Sequence, residues 1–97
     1  MNDLEINNIL FENIKHIDES GNEYWLAREL YKILEYTEYR KFLPVINKAK
    51  IACERSTNVI DDHFAHVGGM IKIGKGGYRK VTDYRLSRYA RRLTDTK

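Results

Sequence analysis

Between Lys72 and Arg92 the chain carries eight cations against one anion, Asp83, a local net charge of +7. The cations are Lys72, Lys75, Arg79, Lys80, Arg85, Arg88, Arg91 and Arg92, with Tyr78, Tyr84 and Tyr89 interleaved. Such a stretch suits contact with a phosphate backbone, because each neutralised phosphate releases counterions whatever the base sequence. The net charge of the whole chain, +3, hides an asymmetry. Residues 1–38 hold nine acids and three bases, and residues 39–97 hold fourteen bases and five acids. A split of this kind points to a polyanionic partner. The bland alternative is a solvated basic face, or one paired with the acids of the first half.

Three segments are candidates for such contact, two within this stretch and one before it. Gly74-Lys-Gly-Gly77 with Tyr78, Arg79 and Lys80 reads as the tip of a hairpin, a wing whose glycines let the backbone approach phosphates. It lacks the spacing and the Lys-Ser/Thr end of a nucleotide-hydrolase phosphate loop. Arg85, Arg88 and Arg92 recur at helical spacing, and their planar forks suit phosphates or guanine edges. Arg40, Lys41 and Lys48, with Lys50, line a middle helix that could contact the backbone, although such faces are usually just solvated.

Other chemistry has weaker support. His63 and His66 stand three apart, near Asp61, Asp62 and Cys53, but a single cysteine on an apolar face and two acids in a connector make a poor ligand set. Adjacent Asp61 and Asp62 lack the further carboxylates a metal-dependent nuclease needs. Nothing nearby in sequence lowers the pKa of Cys53. Tyr24 and Trp25 could stack on bases, yet a small domain has greater need of Trp25 in its core. The expectation is therefore no catalytic residue, no metal and no cofactor.

The elements that must position these residues follow from periodicity. Leu4–Asn13 reads as a short helix with Ile6, Ile9 and Leu10 on one side. Ile14–Asp18 and Glu23–Leu26 flank Glu19-Ser-Gly-Asn22 as a first hairpin with a four- or five-residue loop. Leu26, Leu30, Ile33 and Leu34 predict a helix over Ala27–Tyr36. Phe42, Ile46, Ala49 and Cys53 predict another from Glu38 to Arg55 with Thr37 as cap, starting near Leu43 or kinked at Pro44. Val59–Val67 reads as a connector with one helical turn, and Gly68-Gly69 as punctuation. Met70–Ile73 and Tyr78–Thr82 form a second hairpin. Asp83 is a candidate cap for a closing helix with Leu86, Tyr89, Ala90 and Leu93 inward and Arg85, Arg88 and Arg92 outward.

At this point the residues become specific. Glu23-Tyr-Trp-Leu-Ala-Arg-Glu-Leu-Tyr-Lys-Ile-Leu-Glu-Tyr36 resembles the opening of the Bro-N domain of phage and viral antirepressor-like proteins. There a strand ending in Trp leads into a helix closing on Gly-Tyr or Glu-Tyr. Tyr36–Ile46, Ala49–Glu54, Ile60–Phe64, Lys72–Gly74 and Asp83–Ala90 look like the DNA-damage-inducible protein D family of bacteria. The resemblance covers about residues 11–90. It implies an α+β domain, DNA binding and expression in the damage response, with no known catalytic residues and no cofactor. In the family the closing helix runs on into a longer C-terminal region. Here residues 91–97 diverge, so the chain looks like the N-terminal module alone.

Ninety-seven residues with 42% hydrophobic content make one globular domain with a modest core. The fold class expected is α+β, a small single domain with two β-hairpins and three to four helices. One cysteine excludes an internal disulfide framework and suits a reducing cytoplasm. No run approaches the ~20 apolar residues of a membrane span. The function expected is a DNA-binding module, for double- or single-stranded DNA, of a damage-response or phage-type regulator, not an enzyme. The alternative is a protein-interaction module that docks on a nucleoprotein complex in DNA repair or repression, or on a second copy of itself.

Overall fold

The computed structural model describes residues 3–56 and 58–95, with side chains from Asn8 onward. Among these are five helices and one four-stranded antiparallel sheet, so the chain is α+β. Helix α1 (Asp3–Ile14) leads into a hairpin of β1 (His16–Ile17) and β2 (Glu23–Leu26). Helices α2 (Ala27–Ile33), α3 (Tyr39–Arg55) and the single turn α4 (Ile60–His63) follow. A second hairpin, β3 (Phe64–Ile73) and β4 (Gly77–Leu86), precedes α5 (Arg88–Thr94). The strand order is β1-β2-β4-β3, so the two expected hairpins join edge to edge through Trp25 opposite Leu86.

The first hairpin forms as expected, with a five-residue loop organised by Asp18. Its Oδ1 accepts from the N–H groups of Ser20 and Asn22, both at 2.9 Å, and Gly21 takes the positive φ of +83° that the turn needs. Among the described side chains of α1, Phe11 is buried while Ile9 and Leu10 are exposed, contrary to the expected seam. The side chain of Ile6, and Thr57 in the break after α3, lie outside the described residues. Trp25 is fully buried, and its indole Nε1 donates to the Phe11 carbonyl at 2.8 Å. That carbonyl is among the last four of α1, which have no helical donor, so one bond satisfies both groups.

Helix α2 ends earlier than the periodicity predicts. Glu35 adopts φ +68°; its N–H donates to the Lys32 carbonyl at 3.1 Å and that of Tyr36 to the Tyr31 carbonyl at 3.0 Å. This paired closure needs a left-handed residue after the cap, a place glycine takes at lower cost. Helix α3 buries Phe42, Ile46, Ala49 and Cys53, as their spacing predicts. It starts at Tyr39, with Glu38 rather than Thr37 at the cap, and Pro44 lies inside it. The Thr37 hydroxyl instead accepts from Lys41 at 3.2 Å.

The largest correction concerns the second hairpin. Gly68 and Gly69 do not interrupt the chain but lie within β3, which pairs with β4 in unbroken register from Phe64 with Leu86 to Ile73 with Gly77. Ten paired positions hold two weak strand formers in place. Asp83 is likewise inside β4, not at a helix start. It is buried, and its Oδ1 accepts from the backbone N–H of Arg28 at 3.1 Å and of Tyr84 at 2.8 Å. Arg28 is in the first turn of α2, whose own N-cap, Leu26, offers no side-chain acceptor. Asp83 therefore caps α2 across the sheet. Ser87 caps α5, its Oγ accepting from Ala90 N–H at 3.1 Å.

Two predictions test this local chemistry. Glu35→Gly should raise stability by about 1 kcal/mol in urea unfolding, by relieving the left-handed strain. Burial pushes the Asp83 carboxyl above its ordinary range, against its two N–H donors. Its contribution to stability is thus present below the unfolded pKa and lost as pH rises through the folded one. Asn at this position keeps the acceptor and removes the titration. From about pH 4 to about pH 7 the wild-type urea midpoint should fall relative to that of Asp83→Asn.

Candidate nucleic-acid interface

The basic stretch is divided by the fold into parts with different neighbours. β2 pairs with β4 only at Trp25–Leu86 and Leu26–Arg85, so β3 and β4 continue beyond this point as a two-stranded arm. From Val67 opposite Asp83 to Ile73 opposite Gly77 the arm extends about 20 Å at the usual strand rise. At its tip Gly74 and Gly76 take φ of +50° and +76°, closing the turn around Lys75. Lys72, Lys75, Tyr78, Arg79 and Lys80 are all exposed on this arm. Among the described residues none of its four cations is held in an ion pair.

The arginines at the base of the arm are engaged within the molecule. Arg85 belongs to β4, not to a helix, so it does not share a helical face with Arg88 and Arg92. Its guanidinium lies 3.8 Å from the centre of the Tyr24 ring and 3.3 Å from the Asp18 carboxylate. Arg88 donates through Nε to Glu23 at 3.0 Å and through its terminal nitrogen to Glu23 and, at 3.2 Å, to Glu12. The hydrogen bonds to Glu23 raise the Arg88 pKa. Those from Lys15 and Arg88 hold Glu12 below its ordinary value, and the N–H of Asn22 does the same for Asp18. The acidic first half and part of the basic second half thus neutralise each other across the β1–β2 hairpin.

Arg91 is more deeply engaged. Its side chain is buried, 4.2 Å from the Phe11 ring centre and 4.8 Å from that of Trp25. Burial lowers its pKa, and its Nε has no hydrogen-bond partner. Arg92 is exposed on α5, at the base of the sheet rather than on the arm. On α3, Arg40 pairs with Glu38 at 3.0 Å, Lys41 reaches Glu38 at 3.8 Å, and Lys48 is exposed. Lys50 donates to the Tyr84 hydroxyl at 3.0 Å, tying α3 to the base of the arm.

Three residues of the arm, His66, Gly68 and Met70, were not read from the sequence as part of a nucleic-acid surface. Period-two alternation carried back to Phe64 would have found them, but the Gly-Gly pair masks it. His63 is committed elsewhere, with Nδ1 2.7 Å from Ser87 Oγ and its ring against Tyr89. The His66 ring packs on Tyr84. Among the described residues no group of three or more His, Cys, Asp or Glu is placed to hold a metal. Burial pushes the Cys53 thiol up. Among the described residues no helix is long and apolar enough to cross a membrane.

With this geometry in view, the chain is 52% identical over 80 residues to DNA damage-inducible protein D of Escherichia coli (strain K12). The identity supports that family. The match covers 82% of this chain and 29% of the relative, so the chain spans under a third of that protein's length. No family model matches the chain, and no solved structure matches it.

Arg88→Ala should lower stability by about 1 kcal/mol in denaturant unfolding, because solvent screens a partly exposed pair but the ring contact with Trp25 is lost as well. The same substitution should leave the salt dependence of any DNA binding unchanged, since its guanidinium is already committed to Glu23 and Glu12.

Proposed function

We propose that the chain is a DNA-binding module of the Bro-N type that acts in the response to DNA damage, with the β3–β4 arm as its principal contact. The observation that carries this is the sorting of charge. Arg85 and Arg88 are paired with Asp18, Glu23 and Glu12, whereas Lys72, Lys75, Arg79 and Lys80 extend into solvent without partners among the described residues. Cations kept clear of nearby acids on a projecting ribbon suit a phosphate backbone. Arg92, Lys48, Arg40 and Lys41 lie off the arm and have a secondary role. The name of the Escherichia coli relative supports the damage-response setting. In this role the chain needs no catalytic residue, metal or cofactor.

A protein-interaction module is the second reading, favoured by Met70 and Ile73, which are 59% and 44% exposed on the same arm. Anisotropy with labelled DNA between ~50 and ~200 mM salt separates the two. DNA binding should weaken by orders of magnitude over that range. Replacing Lys72, Lys75, Arg79 and Lys80 by Ala together should reduce the slope of log affinity against log salt by about three to four. No binding at the lower salt sinks the DNA reading and leaves the protein partner, to be sought by sedimentation.

A further inference from the structure

We infer that the ligand of the arm is a single, unpaired strand of DNA, laid lengthwise along the face that carries Tyr78. This rests on the DNA-binding reading above and narrows it. In an antiparallel ladder, residues directly opposite each other project from the same face. Counting from the tip, one face therefore presents Lys72 with Tyr78, Met70 with Lys80, Gly68 with Thr82, and His66 with Tyr84. The other face presents Ile71 with Arg79, Gly69 with Val81, and Val67 with Asp83. The first face has aromatic groups at both ends and cations between; the second is mainly aliphatic.

Tyr78 is 64% exposed, far more than a large ring on a strand usually is when its role is packing. Lys72 stands directly opposite it and Lys80 two residues along, so both ammonium groups flank whatever stacks on the ring. Met70 adds an exposed apolar surface beside Lys80. Gly68 has no side chain, and nothing lies within 4 Å of where a Cβ would stand, so the face is open at that row. Beyond it, His66 and Tyr84 form a second aromatic group with ring centres 4.4 Å apart; Tyr84 is half-buried, with the Lys50 ammonium 4.5 Å over its ring and bonded to its hydroxyl, and His66 is the exposed ring of the pair. Successive rows are about 7 Å apart, so the two aromatic groups are separated by about 20 Å.

A duplex keeps its base faces stacked on one another and offers the arm only phosphates and groove edges. A single strand offers base faces for the exposed rings of Tyr78 and His66, with phosphates placed for Lys72 and Lys80. Stacking platforms interleaved with cations are the sequence-tolerant way to hold such a strand.

The test is anisotropy at ~50 mM salt with a labelled oligothymidylate of about 20 nucleotides and a mixed-sequence duplex of the same length. The proteins are wild type, Tyr78→Ala, Tyr78→Phe and the four-alanine arm variant, each checked for an unchanged urea midpoint. The wild type should bind the single strand more tightly than the duplex. Tyr78→Ala should weaken single-strand binding by about 5- to 150-fold, with duplex binding unchanged and Tyr78→Phe close to wild type. Duplex binding as tight as single-strand binding, or single-strand binding indifferent to Tyr78→Ala, overturns the inference. If the duplex is still bound in that case, with a salt dependence lost in the four-alanine variant, the DNA-binding reading survives alone. If wild type binds neither probe, both fail together.

Discussion

The structure depends on how Trp25 is enclosed. The ring is fully buried where β2 meets β4, opposite Leu86. Its N–H fills the vacant acceptor at the end of α1. The guanidiniums of Arg91 and Arg88 lie 4.8 Å and 5.3 Å from its ring centre. One side chain thus connects α1, the central strand pair and α5. A large aromatic body with one polar handle can do this; a purely aliphatic residue would leave the Phe11 carbonyl unpaired. The two arginines extend the same contact outward, since Arg88 continues from the indole to Glu23 and Glu12. The acidic first half therefore serves to hold the base of the sheet.

That arrangement changes the meaning of the basic stretch. A count of charges treats its eight cations alike, but burial and pairing do not. Arg91 is desolvated against aromatic rings, and Arg85 and Arg88 are matched by carboxylates. The charge that remains for an outside polyanion is concentrated beyond the last residue of β4 that β2 covers. A ribbon with no third strand has little else to bury, so Lys72, Lys75, Arg79 and Lys80 face solvent, while Val67, Ile71 and Val81 stay half-buried on one face. A helix face would have set the same cations against a core on one side and limited their reach.

Much of the architecture was legible in the residues. The Asp18-Glu-Ser-Gly-Asn22 turn, the three- and four-residue spacing of Phe42, Ile46, Ala49 and Cys53, and the apolar role of Trp25 each follow from local chemistry. Two of the misreadings share one cause: a local signal overruled by a partner distant in sequence. Asp83 has the chemistry of a helix cap and does cap a helix, but one 55 residues earlier in the chain. Gly68-Gly69 has the chemistry of a break, yet a continuous ladder with β4 carries the strand through it. Glu35 shows no glycine signal, although the closure of α2 puts it in a glycine-like conformation. In the candidate site, the hairpin cations were legible because turn chemistry is local. Pairing of Arg85 and Arg88 with acids of the first half was an open alternative; which acids they meet was not legible, because those partners lie 65 or more residues away.

The cap that Asp83 supplies also joins the arm to the helical layer. Asp83 sits one residue from Tyr84, which Lys50 of α3 holds, and the side chain of Arg28 donates to the Thr82 carbonyl at 2.9 Å. Three successive residues of β4 are thus fixed to α2 and α3 where the arm leaves the sheet. Past Thr82, toward the tip, no side-chain hydrogen bond or ion pair ties the arm to a helix among the described residues. Rigidity at the root with freedom at the tip is the distribution a probing ribbon needs, because a firm base sets its direction while the glycine-rich end adjusts to an irregular surface. The cost falls on Asp83, whose carboxylate is drawn from water to accept two backbone bonds. The expense of that burial is offset by the cap that Asp83 gives α2 and the tie it makes between that helix and β4.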